Sequence, residues 1–225
     1  MTPDRSFRKN SLAAGALYVL TFVSIPSFAL YAALRDPNYI VGPGPDTSIL
    51  FGAILELIVG LACIGTAVAL FPVVKRQNEG VALGFVGART LEASTIFAGV
   101  ASLLSIVTLR QAGVGAEATI ISQTLVALYD RFFLVGQSLM PAINGFLLGS
   151  LLYRSRLVPR ALPTLGLIGA ALLLAGNVAV LFGYMDRVSP MAAVVTLPIA
   201  LWEFSLGVWL VLKGFNPSAA VLGAT

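Results

Sequence analysis

Histidine is absent from the 225 residues, and cysteine occurs once, at Cys63. Without an imidazole there is no Ser-His-Asp or Cys-His arrangement, no histidine-ligated haem and none of the usual zinc hydrolase sites. A lone thiol inside an apolar run makes neither an intrachain disulfide nor a cysteine metal site. No catalytic residue, metal or cofactor is therefore assigned. Charge is scarce as well: 11% of the residues are charged and 58% are hydrophobic, a balance that suits lipid rather than water as the solvent. Long polar stretches are missing too, so a single membrane domain over residues 1–225 is expected.

What is present is a series of apolar runs, each near or above the roughly 20 residues that a helix needs to cross the hydrocarbon core. They predict helices at about 12–34, 48–71, 81–109, 124–153, 163–184 and 190–212, with 213–225 as a flexible tail. The first run is too long for the core of a signal peptide, so an uncleaved first helix is expected. Between the first two runs, Pro37, Gly42, Pro43, Gly44 and Pro45 mark a loop by turn chemistry.

Alternate loops differ in their basic residues. One side collects Arg5, Arg8, Lys9, Lys75, Arg76, Arg154, Arg156, Arg160 and Lys213, the other only Arg35, Arg110 and Arg187. Cytoplasmic loops are the Lys/Arg-rich ones. The prediction is an all-α, six-transmembrane-helix bundle with both termini cytoplasmic. The net charge of +4 thus sets topology, and the expected partner is the lipid bilayer rather than nucleic acid.

Six ionisable residues fall inside the predicted spans: Glu56, Arg89, Glu92, Asp130, Arg131 and Glu203. Each costs about 2.5 to 3.5 kcal/mol at the centre of a membrane helix on insertion scales, so such groups face protein or water. Arg89 and Glu92 lie three apart and share a helix face. Asp130, Gln137 and Asn144 recur every seven residues and predict a polar stripe along the fourth helix. Pro141 and Pro198 each remove a helical donor, which frees the carbonyls of Gln137 and Val194 and predicts two kinks. Four carboxylates against two guanidinium groups leave two acids to be protonated, hydrated or matched by a cation, with Glu203 the first candidate. The ligand or ion candidates are Glu56, Arg89, Glu92, Asp130, Arg131, Gln137, Asn144 and Glu203.

Gly145 and Gly149 have the small-xxx-small spacing of close helix contacts, which serves packing or a homodimer. Tyr129-Asp130 matches half of an intramembrane aspartyl protease pattern, but its Gly-x-Gly-Asp partner does not occur. Trp202 and Trp209 read as packing or lipid-facing residues.

The segment LLGSLLYRSRLVPRALP (147–163), the ending WLVLKGFN (209–216), ARTLEA (88–93) and SLAAGALY (11–18) together resemble the bacterial membrane proteins of the domain-of-unknown-function 4386 family. The Tyr-Arg-Ser-x-x-x-Pro-Arg loop is the most specific part of the likeness. It implies a six-helix protein of the bacterial cytoplasmic membrane and no particular activity, and it carries over no site residue. Where typical members have a further polar or histidine-bearing stretch in the fourth helix, this chain has Tyr129, Asp130 and Arg131.

Three function classes follow, in order. The first is a non-catalytic partner, scaffold or regulator whose charges hold the helices and whose basic loops meet a membrane protein partner or anionic lipid. The second is a binding or transport protein with a midplane acidic cavity for a proton, a small cation or an amphipathic ligand. The third, least supported, is an enzyme that uses carboxylates alone.

Overall fold

The computed structural model describes residues 3–223. The Arg5 side chain and residues 224–225 of the expected tail lie outside the described residues. The described chain forms helices without strands: α1 (Pro3–Leu20), α2 (Ser27–Leu30), α3 (Thr47–Val74), α4 (Glu79–Gln111), α5 (Thr119–Phe133), α6 (Met140–Ser155), α7 (Ala161–Leu181), α8 (Pro190–Leu212) and α9 (Ala220–Gly223). Six stretches are long and apolar enough to cross a membrane: Ser6–Leu30, Thr47–Val74, Glu79–Gln111, Ala116–Ser155, Ala161–Leu181 and Pro190–Leu212. The protein is an all-α integral membrane bundle of six spans.

Two spans are not continuous α-helices. The first begins earlier than its apolar run, at α1, then tightens into a 3-10 turn at Thr21–Ser24 and resumes as α2. Pro26 lacks the donor that would continue the ladder across this break, and the Thr21 hydroxyl donates to the Tyr18 carbonyl at 2.7 Å. The fourth span passes from α5 through a π-helical turn, Leu134–Leu139, into α6. Pro141, at the second position of α6, has no N–H for the preceding turn, and the wider turn absorbs the missing bond.

Consecutive spans are neighbours, as short connections between antiparallel helices require, and α1 also packs on α8. The six spans therefore close into a ring. Its closing seam is tight: a Cβ added to Gly15 would lie 2.6 Å from the Gly207 carbonyl oxygen, so only glycine lets the two backbones approach this far. At the end of the same seam the Arg8 guanidinium donates to the carbonyls of Leu210 and Val211, at 3.2 and 2.7 Å, which are among the unpaired acceptors at the C-terminus of α8.

The glycine pair of α6 is used inside the chain. Gly145 faces Ala170 and Ile199, and Gly149 faces Leu167. Trp202 is fully buried, its ring against Gly166.

At the opposite end from the Arg8 seam, a loop cap closes the bundle. Asp46 accepts from Arg110 Nε at 2.8 Å, from Gln111 Nε2 at 2.9 Å and from the Tyr39 hydroxyl at 2.5 Å, and it forms an ion pair with Arg110. Arg110 also donates to the Gly42 carbonyl at 2.8 Å. Beyond α8, Phe215 and Ala219 are buried, and the Asn216 N–H donates to the Leu157 carbonyl at 2.8 Å. Residues 215–219, within the expected flexible tail, are seated against the turn after α6.

Candidate functional site: a charged cavity inside the ring

Arg89 is the hub. It projects from the first half of α4 with 1% of its side chain exposed, donating to Glu92 Oε2 at 2.9 Å and to Glu203 Oε1 of α8 at 3.2 Å. The i,i+3 pair read from spacing is thus real, and α8 adds the second carboxylate. Asn144 of α6 donates to the same Glu92 oxygen at 2.8 Å. Cys63 of α3 accepts from Arg89 at 3.5 Å. The Tyr18 ring of α1 lies under the guanidinium, 4.9 Å from its centroid, a cation–π geometry.

A cavity of about 240 Å³ opens beside this cluster, with Arg89, Glu92 and Glu203 in its wall. All six spans supply lining residues, from the Thr21–Ile25 break and Val59 to Gln137, Leu173 and Thr196. Ile25 and Thr196 are exposed and mark its open side, between the broken part of the first span and α8. Glu203 is the least buried of the three charged groups, with 14% of its side chain accessible. One guanidinium and two carboxylates leave an excess of one negative charge when all are ionised.

The remaining candidates separate. Glu56, 1% exposed, accepts from the Tyr129 hydroxyl at 2.7 Å and from Ser27 at 3.2 Å. It has no cationic partner among the described residues, whereas Glu203 shares Arg89 with Glu92. Gln137 is half-buried, lines the cavity and lies within interaction range of Glu56. Asp130 belongs to another cluster, accepting from Arg35 at 2.6 Å and from Arg187 at 2.7 Å. Arg131 is exposed and lines a separate pocket at that same end.

The expected stripe of Asp130, Gln137 and Asn144 is therefore split three ways, to the loop cluster, the cavity rim and Glu92. The π turn between Asp130 and Asn144 explains it, because a wider turn rotates everything beyond it relative to a 3.6-residue repeat. Sequence reasoning also missed Tyr18, Cys63, Tyr129 and Ser27. Each is apolar-compatible or neutral, and nothing in its local sequence marks it as a partner of Arg89 or Glu56. Arg35 and Arg187 were visible only as loop charges, although the span-end position of Asp130 was a signal for loop partners.

The arrangement can bind and orient a small polar or cationic group. Among the described residues no three His, Cys, Asp or Glu side chains come together to hold a metal ion.

Comparison with curated proteins and with solved structures returns no match. The family model described as a domain of unknown function (DUF4386) matches residues 13–214, a stretch that contains every residue of the cavity and of the ion cluster. The chain belongs to this DUF4386 family of unknown function.

Proposed function

We propose that the protein is a binding protein of the membrane, in which the Arg89–Glu92–Glu203 cavity receives a small cation or the amino group of an amphipathic molecule. One observation carries the reading: an unbalanced ion cluster borders an open cavity instead of filling a closed core. At about 240 Å³ the space is smaller than typical drug-sized sites of roughly 300–1,000 Å³, which suits a compact headgroup with its apolar part held between the broken part of the first span and α8. The open side, in the half of the bundle towards the loop cap, favours lateral access from the lipid. A transport role would add movement of the broken first span and the π turn in the fourth, irregular backbone that lines a cavity as in transporters.

The scaffold reading is favoured by a different observation, the engagement of both terminal nitrogens of Arg89 by carboxylates and of its guanidinium face by an aromatic ring. The charge asymmetry of the loops and the family likeness support a bacterial cytoplasmic membrane location with cytoplasmic termini.

The test compares thermal stability of the purified wild type and Glu203→Gln in detergent, with sodium, potassium or a short alkylamine added at constant ionic strength. Wild-type stabilisation by one of these probes, absent in Glu203→Gln, is the expected result. Superimposable behaviour of the two proteins with every probe would leave the cluster a purely structural role.

A further inference from the structure

A second concavity lies at the other end of α8, far from the ion cluster. The turn after α6 and the turn after α8 meet there, held together by Asn216, whose backbone N–H donates to the Leu157 carbonyl at 2.8 Å and whose amide donates to the Arg156 carbonyl at 3.4 Å. Between them is a cavity of about 430 Å³ whose wall includes Arg156, Arg160 and Lys213 and no acidic residue. None of these three cations forms an ion pair among the described residues. Arg156 has a left-handed backbone with φ of 55°, the one non-glycine residue so placed among those described, and Arg160 stacks on Tyr153 at 5.0 Å from the ring centroid. Both arginines are thus held by the turn at the mouth of the cup.

The cup does not end at the polar boundary. An apolar groove of about 310 Å³ continues along the outer face of α8 over Leu162, Phe204, Val208 and Leu212, and it shares Trp209 and Lys213 with the cup. Trp209 stands where the basic cup gives way to the apolar groove, the position that tryptophan takes at a membrane interface. Basic loops are general in membrane proteins, but the Lys75-Arg76 loop at the same end of the bundle borders none of the cavities described here. The two segments that meet in the cup, 153–160 and 209–216, lie some fifty residues apart in the sequence.

We infer that this composite site binds one anionic glycerophospholipid, its phosphate in the Arg156–Arg160–Lys213 cup and an acyl chain in the groove along α8. Basic clusters beside a membrane helix attract anionic headgroups through both net charge and hydrogen bonding. A free anion would use the cup alone and leave the groove untouched. A lipid uses both, and the proposal commits to the lipid.

The experiment uses the purified full-length protein in detergent, with binding read by thermal shift and by native mass spectrometry of retained lipid. Phosphatidylglycerol should stabilise the wild type and be retained, whereas phosphatidylcholine and inorganic phosphate should do neither. Combining Arg156→Gln, Arg160→Gln and Lys213→Gln should weaken phosphatidylglycerol binding roughly tenfold or more. A charge-matched control with Lys9→Gln, Lys75→Gln and Arg154→Gln should bind as the wild type does. Val208→Trp, which fills the groove and changes no charge, should also weaken binding. Equal effects of phosphatidylcholine, a full shift with phosphate alone, equal loss in the charge-matched control, or unchanged binding by Val208→Trp would each overturn the proposal.

Discussion

Arg89 touches Tyr18, Cys63, Glu92 and Glu203, groups from four of the six spans, so its removal is felt well beyond one contact. An arginine taken from a buried pair leaves its carboxylates uncompensated, a loss of about 3 to 5 kcal/mol in the general case. Arg89→Ala should therefore lower the melting temperature in detergent far more than Arg154→Ala, whose side chain is exposed. Equal shifts in a thermal melt would mean that the guanidinium is hydrated through the cavity and not bound by Glu92 and Glu203. The cluster was half legible in the sequence: the i,i+3 relation of Arg89 and Glu92 is written in the spacing, and so is the excess of acids. The choice of Glu203 as second partner was not, because which face of the last span meets the third depends on how the ring closes.

At the scale of elements, the spans follow from apolar length, and the caps follow from chemistry that reads locally, such as Asn78 before α4 and Ser189 before α8. The breaks were less legible. Pro141 announces a disturbance, but whether the chain answers with a kink or with a π turn depends on what packs around it. The 3-10 break after α1 lies within an unbroken apolar run, and Pro26 alone signalled it. The loop between α2 and α3 is tied down by its own ion pair. There, the Arg110 hydrogen bonds hold the Asp46 carboxyl well below the usual carboxylate range, and burial together with Asp46 pushes the Tyr39 hydroxyl up to about 12. A carboxyl with a depressed folded value stabilises fully above its unfolded value of about 3.9 and loses that contribution as the pH falls towards the folded value. Acidification should thus loosen this cap selectively. Hydrogen exchange of residues 39–46 should rise on acidification in the wild type, once the intrinsic pH dependence of exchange is divided out, and Asp46→Asn should show the raised protection factors' loss already at neutral pH. No difference between the two proteins at neutral pH would mean that the ion pair does not hold the loop.

For the whole molecule, the orientation rests on the loop charges. With Cys63→Ser as background, a cysteine at Ala116 should react with an impermeant reagent in intact cells and one at Ser218 should not; both positions are exposed. Reaction at Ser218 from outside would reverse the assigned topology. The six-span count and the antiparallel neighbours were readable from apolar length and short loops, whereas the meeting of first and last spans was not, since no local pattern encodes a contact across some two hundred residues. That meeting has a consequence for biosynthesis. Arg89 leaves the ribosome with Glu92 one helical turn behind it, so the third span enters the membrane already partly neutralised, while Glu203 is made more than a hundred residues later. Until α8 arrives, the nascent chain carries an open side, with Gly15 uncovered and the central charges facing lipid. A chain ending after Ser189 should consequently be recognised as incomplete and degraded quickly in a pulse–chase measurement, and co-expression of the missing segment, Pro190 onwards, should lengthen its lifetime. Equal lifetimes of the truncated and complete chains would show that the first five spans hold together without the last.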